Sequence, residues 1–280
     1  MSAVDLTALS YWFPIVEASG LPVPRTHIMQ MPPSVQQTIM AHLWGEEADP
    51  SGVEAFAGEL AAIAADLGTP LFLRTDQTSG KHDWERTCFV SDLSKLAGHL
   101  YAIAEYSECA GFPGLPWNTW VVREMLPTVP VALCPRYGNM PVCKEFRFFV
   151  DGGTVECFHP YWPRYALERG GCDLSDAEYA VLCDPGDIDT LRELAALTGR
   201  AVGGRWSVDL LETKRGWFVT DMAEADKSFH WDGCPASVDE RAKRQDPEEG
   251  LGPKDASAVG ATSAETPDPN SETTQGSNEG

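Results

Sequence analysis

The sequence predicts an α+β fold whose sheets become antiparallel in its second half, on three observations. Helical and extended stretches alternate as far as residue 124, the extended runs from residue 145 onward follow one another through glycine turns, and no strand–helix–strand period is sustained to the end. A chain of 280 residues with a hydrophobic share of 43% can bury a core without staples.

The first helix is expected over residues 12–19, closed by Gly20-Leu21-Pro22-Val23-Pro24, where two prolines forbid its continuation. Residues 52–67 carry alanines and apolar side chains at helical spacing, and Gly68-Thr69-Pro70 ends that helix before the extended run 71–75. A strand at 88–90, a helix at 92–108 opened by Ser91 or Asp92, and a strand at 119–124 repeat the alternation. Strands at 145–151 and 154–159 flank Gly152-Gly153, which suits a hairpin. A helix at 187–198 is expected to end at Gly199, and strands at 205–211 and 217–221 form a second hairpin around Lys214-Arg215-Gly216. After Pro235 the aromatic residues vanish and Glu, Asp, Ser, Thr, Gly and Pro take over, a composition that cannot offset the entropy of ordering. The expected organisation is an N-terminal module over 1–70, a core over 71–235 and a disordered acidic tail over 236–280.

The formal net charge of -21 repels nucleic-acid backbones, and no basic run offers a local exception, so nucleic acid is not an expected partner. No apolar run is long enough to cross a membrane as a helix. The eight cysteines are scattered singly, without a C-x-x-C pair, which argues against a zinc framework and makes a reducing cytoplasm the default location.

Four segments could carry chemistry. Arg74-Thr75-Asp76-Gln77-Thr78-Ser79-Gly80-Lys81 sets a cation at each end of a polar loop that follows an apolar strand. Loop N–H groups, the Lys81 ammonium and the Arg74 fork suit a polyphosphate, although a solvated surface loop has the same composition and no Walker A pattern is present. The run Val122-Arg123-Glu124-Met125-Leu126-Pro127 could offer a purine an apolar slot with backbone donors and acceptors, or be a core strand whose Arg123 and Glu124 face water. In Glu145-Phe146-Arg147-Phe148-Phe149, period-2 alternation puts Glu145, Arg147 and Phe149 on one face, where Arg147 could meet a phosphate or make an ordinary ion pair. A three-residue loop at 214–216 in the second hairpin would place Asp209 directly opposite Asp221, and a four-residue loop would separate them. Facing carboxylates repel unless a cation lies between them, and Mg²⁺ with Asp209, Asp221 and Glu224 answers that need.

In their order, these segments resemble the ATP-grasp superfamily, in particular the branch that holds the cell-division-cycle protein 123 family and its bacterial and phage relatives, over roughly residues 22–231. The resemblance implies two α+β lobes with antiparallel sheets around a nucleotide cleft. It implies Arg74, Lys81 and Arg147 at the phosphates, Val122, Glu124, Met125 and Leu126 at the adenine, and Asp209 and Asp221 at Mg²⁺. The reaction it implies joins a carboxylate to an amine through an acyl phosphate at the expense of ATP, with a peptide, a protein or a small amino acid as substrate. The alternative is an ATP-holding assembly chaperone without turnover. The family's Asp-x-Asn after the second metal strand is replaced by Asp221-Met222-Ala223, so the resemblance implies that a further metal ligand comes from Glu224 or water.

Overall fold

The computed structural model describes residues 5–110 and 114–231. The expected tail at 236–280 lies outside them. In chain order the described residues form α1 (Leu9–Ala18), β1 (Thr26–Gln30), α2 (Pro33–Leu43), α3 (Ser51–Leu67), β2 (Leu71–Thr75), β3 (Phe89–Val90), α4 (Leu96–Cys109) and β4 (Thr119–Glu124). A small hairpin of β5 (Ala132–Cys134) and β6 (Met140–Val142) follows. Then come β7 (Glu145–Asp151), β8 (Thr154–Pro160), α5 (Arg164–Arg169), α6 (Asp176–Cys183), α7 (Ile188–Val202), β9 (Arg205–Thr213) and β10 (Gly216–Glu224). Two four-stranded antiparallel sheets result, ordered β1-β4-β2-β3 and β10-β9-β7-β8. The α+β expectation therefore holds.

Strand β4 shows how period 2 divides the interior. Trp120 and Val122 enter a first core with Phe56 and Leu60 of α3 and Leu100 of α4, whereas Val121 turns to a second core built on the other sheet. That second core joins Leu9, Trp12, Phe13 and Val16 of α1 to Phe146, Leu191 and Trp206. Each such fully buried side chain stabilises the fold by about 1.5–3 kcal/mol. Within residues 1–70, α1 packs with the late sheet and α2 and α3 with the early one. Helix α1 begins earlier than its sequence predicts because Asp76 caps it from a distance: Ser10 N donates to Asp76 Oδ1 at 2.7 Å and Ser10 Oγ to Oδ2 at 2.7 Å.

Two local expectations are corrected. Helix α7, capped by Asp187 through Thr190 N, runs past Gly199 to Val202 and stops at Gly203, whose φ is 73°. Gly199 is glycine for closeness instead, since a Cβ there would lie 2.3 Å from the Gly152 carbonyl oxygen in the β7–β8 turn. In the second hairpin Thr213 pairs with Gly216, leaving a two-residue loop, Lys214-Arg215. The register then shifts between Val219 and Asp221, and this bulge at Thr220 brings Asp221 opposite Asp209 after all.

A disulfide that the scattered cysteine spacing does not reveal joins Cys134 of β5 to Cys172 beyond α5 at 2.08 Å. Among the described residues no helix is long and apolar enough to cross a membrane.

Candidate functional site

A cavity of about 310 Å³ opens between the two sheets. Its upper wall begins at the end of β2, where the loop turns back on itself: Thr75 N donates to Thr78 O at 2.8 Å, and Thr78 N to Thr75 Oγ1 at 3.1 Å. Gly80 takes a φ of 61°, which a side chain rarely adopts, and Thr87 Oγ1 pins its carbonyl at 2.7 Å. This turn delivers Lys81 and His82 into the cavity. The Lys81 ammonium sits 3.8 Å from the Tyr161 ring centre and 4.8 Å from that of Trp162. Burial disfavours its charge, but Tyr161, Glu145 and Asp209 outweigh burial and hold Lys81 above its ordinary value. His82 lies tilted against the Tyr137 ring, centres 4.7 Å apart, and burial together with Lys81 pushes it down to about 4, so it is neutral near pH 7.

Three arginines converge from three strands. Arg147 of β7 grips Asp209 of β9 with both prongs, Nε to Oδ1 and Nη2 to Oδ2, each at 2.8 Å. Arg74 of β2 donates from Nε to the Thr75 carbonyl at 3.0 Å and from Nη1 approaches Asp221 Oδ1 at 3.1 Å. Burial works against the Asp221 charge, yet Arg74, Arg123 and Lys81 hold its carboxyl below the usual range. Arg123 of β4 donates from Nη1 to the Thr220 carbonyl at 2.6 Å, and its Nε and Nη2 are buried without a partner. Burial and the neighbouring Arg74 push it down to about 9. It faces inward, not to water as one reading of its strand had it.

Glu145 lies in the same cavity. Burial, aided by Asp209 and Asp221 and opposed by Lys81 and Arg147, pushes its carboxyl up to about 7. The cavity thus brings Arg74, Lys81 and Arg123 together with Glu124, Glu145, Asp209 and Asp221, and Arg147 stands behind Asp209 and Tyr161 in its wall.

At the end of β4, Met125 and Leu126 line the cavity, and their N–H groups donate to no protein atom among the described residues. The Glu124 carboxylate is already engaged, accepting from Arg25 N at 3.0 Å and meeting Arg215 Nη2 at 3.0 Å. Val122 belongs to the first core and its side chain does not line the cavity. Glu224 also stays outside, paired with Lys227. His230 stacks on Phe149 with ring centres 3.4 Å apart, beyond the cavity wall. Tyr161 is a wall of the cavity, whereas Arg164 pairs with Glu168 and Asp176 at the surface.

Sequence reasoning missed the part played by Arg123. Its signal was present: an arginine two residues after the inward-facing Val121, on a strand with no exposed face. Glu145 was read only as a partner on the face of Arg147.

For a nucleotide, the donors free among the described residues are the Met125 and Leu126 N–H groups and the Arg123 Nε and Nη2, beside the cations Arg74 and Lys81. For a divalent cation, two carboxylates facing each other are a chemically suitable pair, and each now has an arginine partner. Among the described residues no group of three or more His, Cys, Asp or Glu is arranged to hold a metal ion.

No protein-family model matches the chain, and no curated relative matches it. Its structure is similar to solved ATP-grasp structures at low identity. A RimK-domain ATP-grasp protein from Sphaerobacter thermophilus is 16% identical, with a TM-score of 0.44, over 78% of this chain and 59% of that one. Cdc123 from Schizosaccharomyces pombe is 13% identical, with a TM-score of 0.47, over 78% and 83%. D-alanine–D-alanine ligase from Bacillus anthracis, solved with ATP, is 10% identical, with a TM-score of 0.43, over 77% and 54%. The chain thus spans less than two thirds of the RimK-domain protein and of the ligase.

Proposed function

We propose that the cavity binds ATP with Mg²⁺, and that the chain is an ATP-grasp protein that joins a carboxylate to an amine. The observation that carries this reading is the meeting of Arg74, Lys81 and Arg123 in one cavity, with Arg147 behind Asp209 in its wall, between a phosphate-suited loop and an apolar strand end in a strongly acidic chain. The purine would lie against Met125 and Leu126, whose amides are unspent, while the engaged Glu124 side chain fixes the strand end in place.

Lys81, Arg74 and Arg147 would meet the phosphates. Donors fixed in a site shielded from water act most strongly where charge develops, and here that is on the γ-phosphate and on the departing β-phosphate oxygen. A substrate carboxylate attacks the γ-phosphorus and ADP leaves, giving an acyl phosphate; an amine then attacks the acyl carbon and phosphate departs. Arg147 and Lys81 neutralise the transferred group throughout. Asp209 and Asp221 would hold Mg²⁺, which supplies further charge neutralisation when bound. A peptide or protein acceptor fits the reading as well as a small amino acid.

A second reading, an ATP-holding module without turnover, draws on Met222-Ala223 after Asp221 and on the place of Glu224 outside the cavity. Calorimetric titration with a non-hydrolysable ATP analogue, with and without Mg²⁺, tests the shared claim. Affinity should fall at least tenfold in Arg147→Ala and stay unchanged in Asp187→Ala, which removes only the cap of α7. Absence of binding to the wild-type protein would end both readings. Release of ADP from ATP upon addition of candidate carboxylates together with amines separates the first from the second.

A further inference from the structure

Each cation assigned to the phosphates is already bound inside the protein, and two of their partners are the carboxylates assigned to the metal. Arg147 closes both oxygens of Asp209, and Arg74 reaches Asp221. The two carboxylates stand opposite each other across β9 and β10, and Arg147 and Asp209 are also register partners across β7 and β9. One row of the sheet therefore holds a carboxylate–arginine pair beside a second carboxylate whose arginine comes from the other sheet.

We infer that these two arginines are latches that keep the carboxylate pair closed to a divalent cation until a polyphosphate draws the guanidinium groups away. The inference rests on the nucleotide reading above and concerns the order in which the site fills. A dication entering alone would displace two guanidinium groups and leave them buried without a counter-charge, next to Lys81 and Arg123. A triphosphate supplies new acceptors for both forks, so the exchange conserves charge-assisted hydrogen bonds. Its charge also compensates the cations that the freed carboxylates no longer face. By linkage, whatever the nucleotide does for the metal, the metal does equally for the nucleotide. AMP, which lacks the outer phosphates, cannot open the latches.

The latch makes an unusual forecast for a single substitution. Arg147→Gln removes the fork from Asp209, so binding of Mn²⁺ alone should tighten, by about tenfold or more for one lost competing charge, while binding of a non-hydrolysable ATP analogue weakens. Titrating full-length protein with Mn²⁺ and reading free Mn²⁺ by electron paramagnetic resonance measures the first effect; calorimetry with the analogue measures the second. Arg74→Gln, which frees Asp221, is the second variant should the first fail to fold. Wild-type protein should bind Mn²⁺ alone no better than Asp209→Asn, and addition of AMP should not change that. Mn²⁺ binding by the wild-type chain as tight as by the latch variants would overturn the inference. Tighter Mn²⁺ binding by the latch variants, with no analogue binding to any form, would keep the competition between arginine and metal but overturn its release by a polyphosphate, together with the nucleotide reading.

Discussion

Glu145 is the group whose charge the fold controls most openly. Its ordinary value of 4.5 is pushed up to about 7, first by burial and then by Asp209 and Asp221. A raised carboxyl favours the folded state fully below its unfolded value and loses that contribution as pH climbs through the folded one. Glu145→Gln should therefore gain stability relative to the parent between about pH 4.5 and 7, by several degrees in Tm, with a constant gap above about pH 8. A gap that does not vary with pH would mean that Glu145 ionises normally. Arg147→Ala should have the opposite sign, since it strands the buried Asp209 carboxylate at a cost of about 3–5 kcal/mol in denaturant unfolding. At this scale the sequence was legible wherever a residue type had few alternatives: Arg74, Lys81, Arg147, Met125, Leu126, Asp209 and Asp221 all meet the cavity or its ion pairs. Glu224 shows the converse. Three residues after Asp221, it falls on the other face of a period-2 strand, a parity that spacing alone could have shown.

At the level of elements, bulges and distant caps decide what spacing cannot. The strands β2, β4 and β7 match their expected bounds because each is an apolar run between turn residues. Strand β1, with its mixed pattern, helix α2, which opens on prolines, and the three-residue strands β5 and β6 had no comparable period. The facing of Asp209 and Asp221 was expected from a three-residue loop and arises from a two-residue loop plus the bulge at Thr220. Asp76, read as part of a phosphate loop, also caps α1, a contact between residues 66 apart in the chain. Asp76→Ala should cost about 1–2 kcal/mol by urea unfolding. Gly199→Ala offers a sharper check, because intrinsic propensity alone would stabilise α7 by about 1 kcal/mol. The crowding against Gly152 O predicts the reverse, a net loss of about 1–3 kcal/mol. A stabilised variant would show that the β7–β8 turn yields.

Across the whole molecule the formal net charge is -21, and part of the negative charge lies beyond Pro235. Truncation after Pro235 should leave nucleotide affinity within about twofold, measured by the same calorimetry; a large loss would place the later residues at the site. The overall class was legible because antiparallel hairpins announce themselves through glycine turns. Which sheet each early helix covers was not legible: α1 joins the late sheet and α2 the early one, a long-range choice that local patterns do not carry. That placement of α1 has a consequence during synthesis. The helix leaves the ribosome well before the strands β7 to β10 that cover Trp12 and Phe13. At roughly 5–20 residues per second, its apolar stripe waits on the order of ten seconds for a partner. Throughout that interval the nascent chain offers a chaperone its binding face, and the early sheet can assemble before the cleft has a second side.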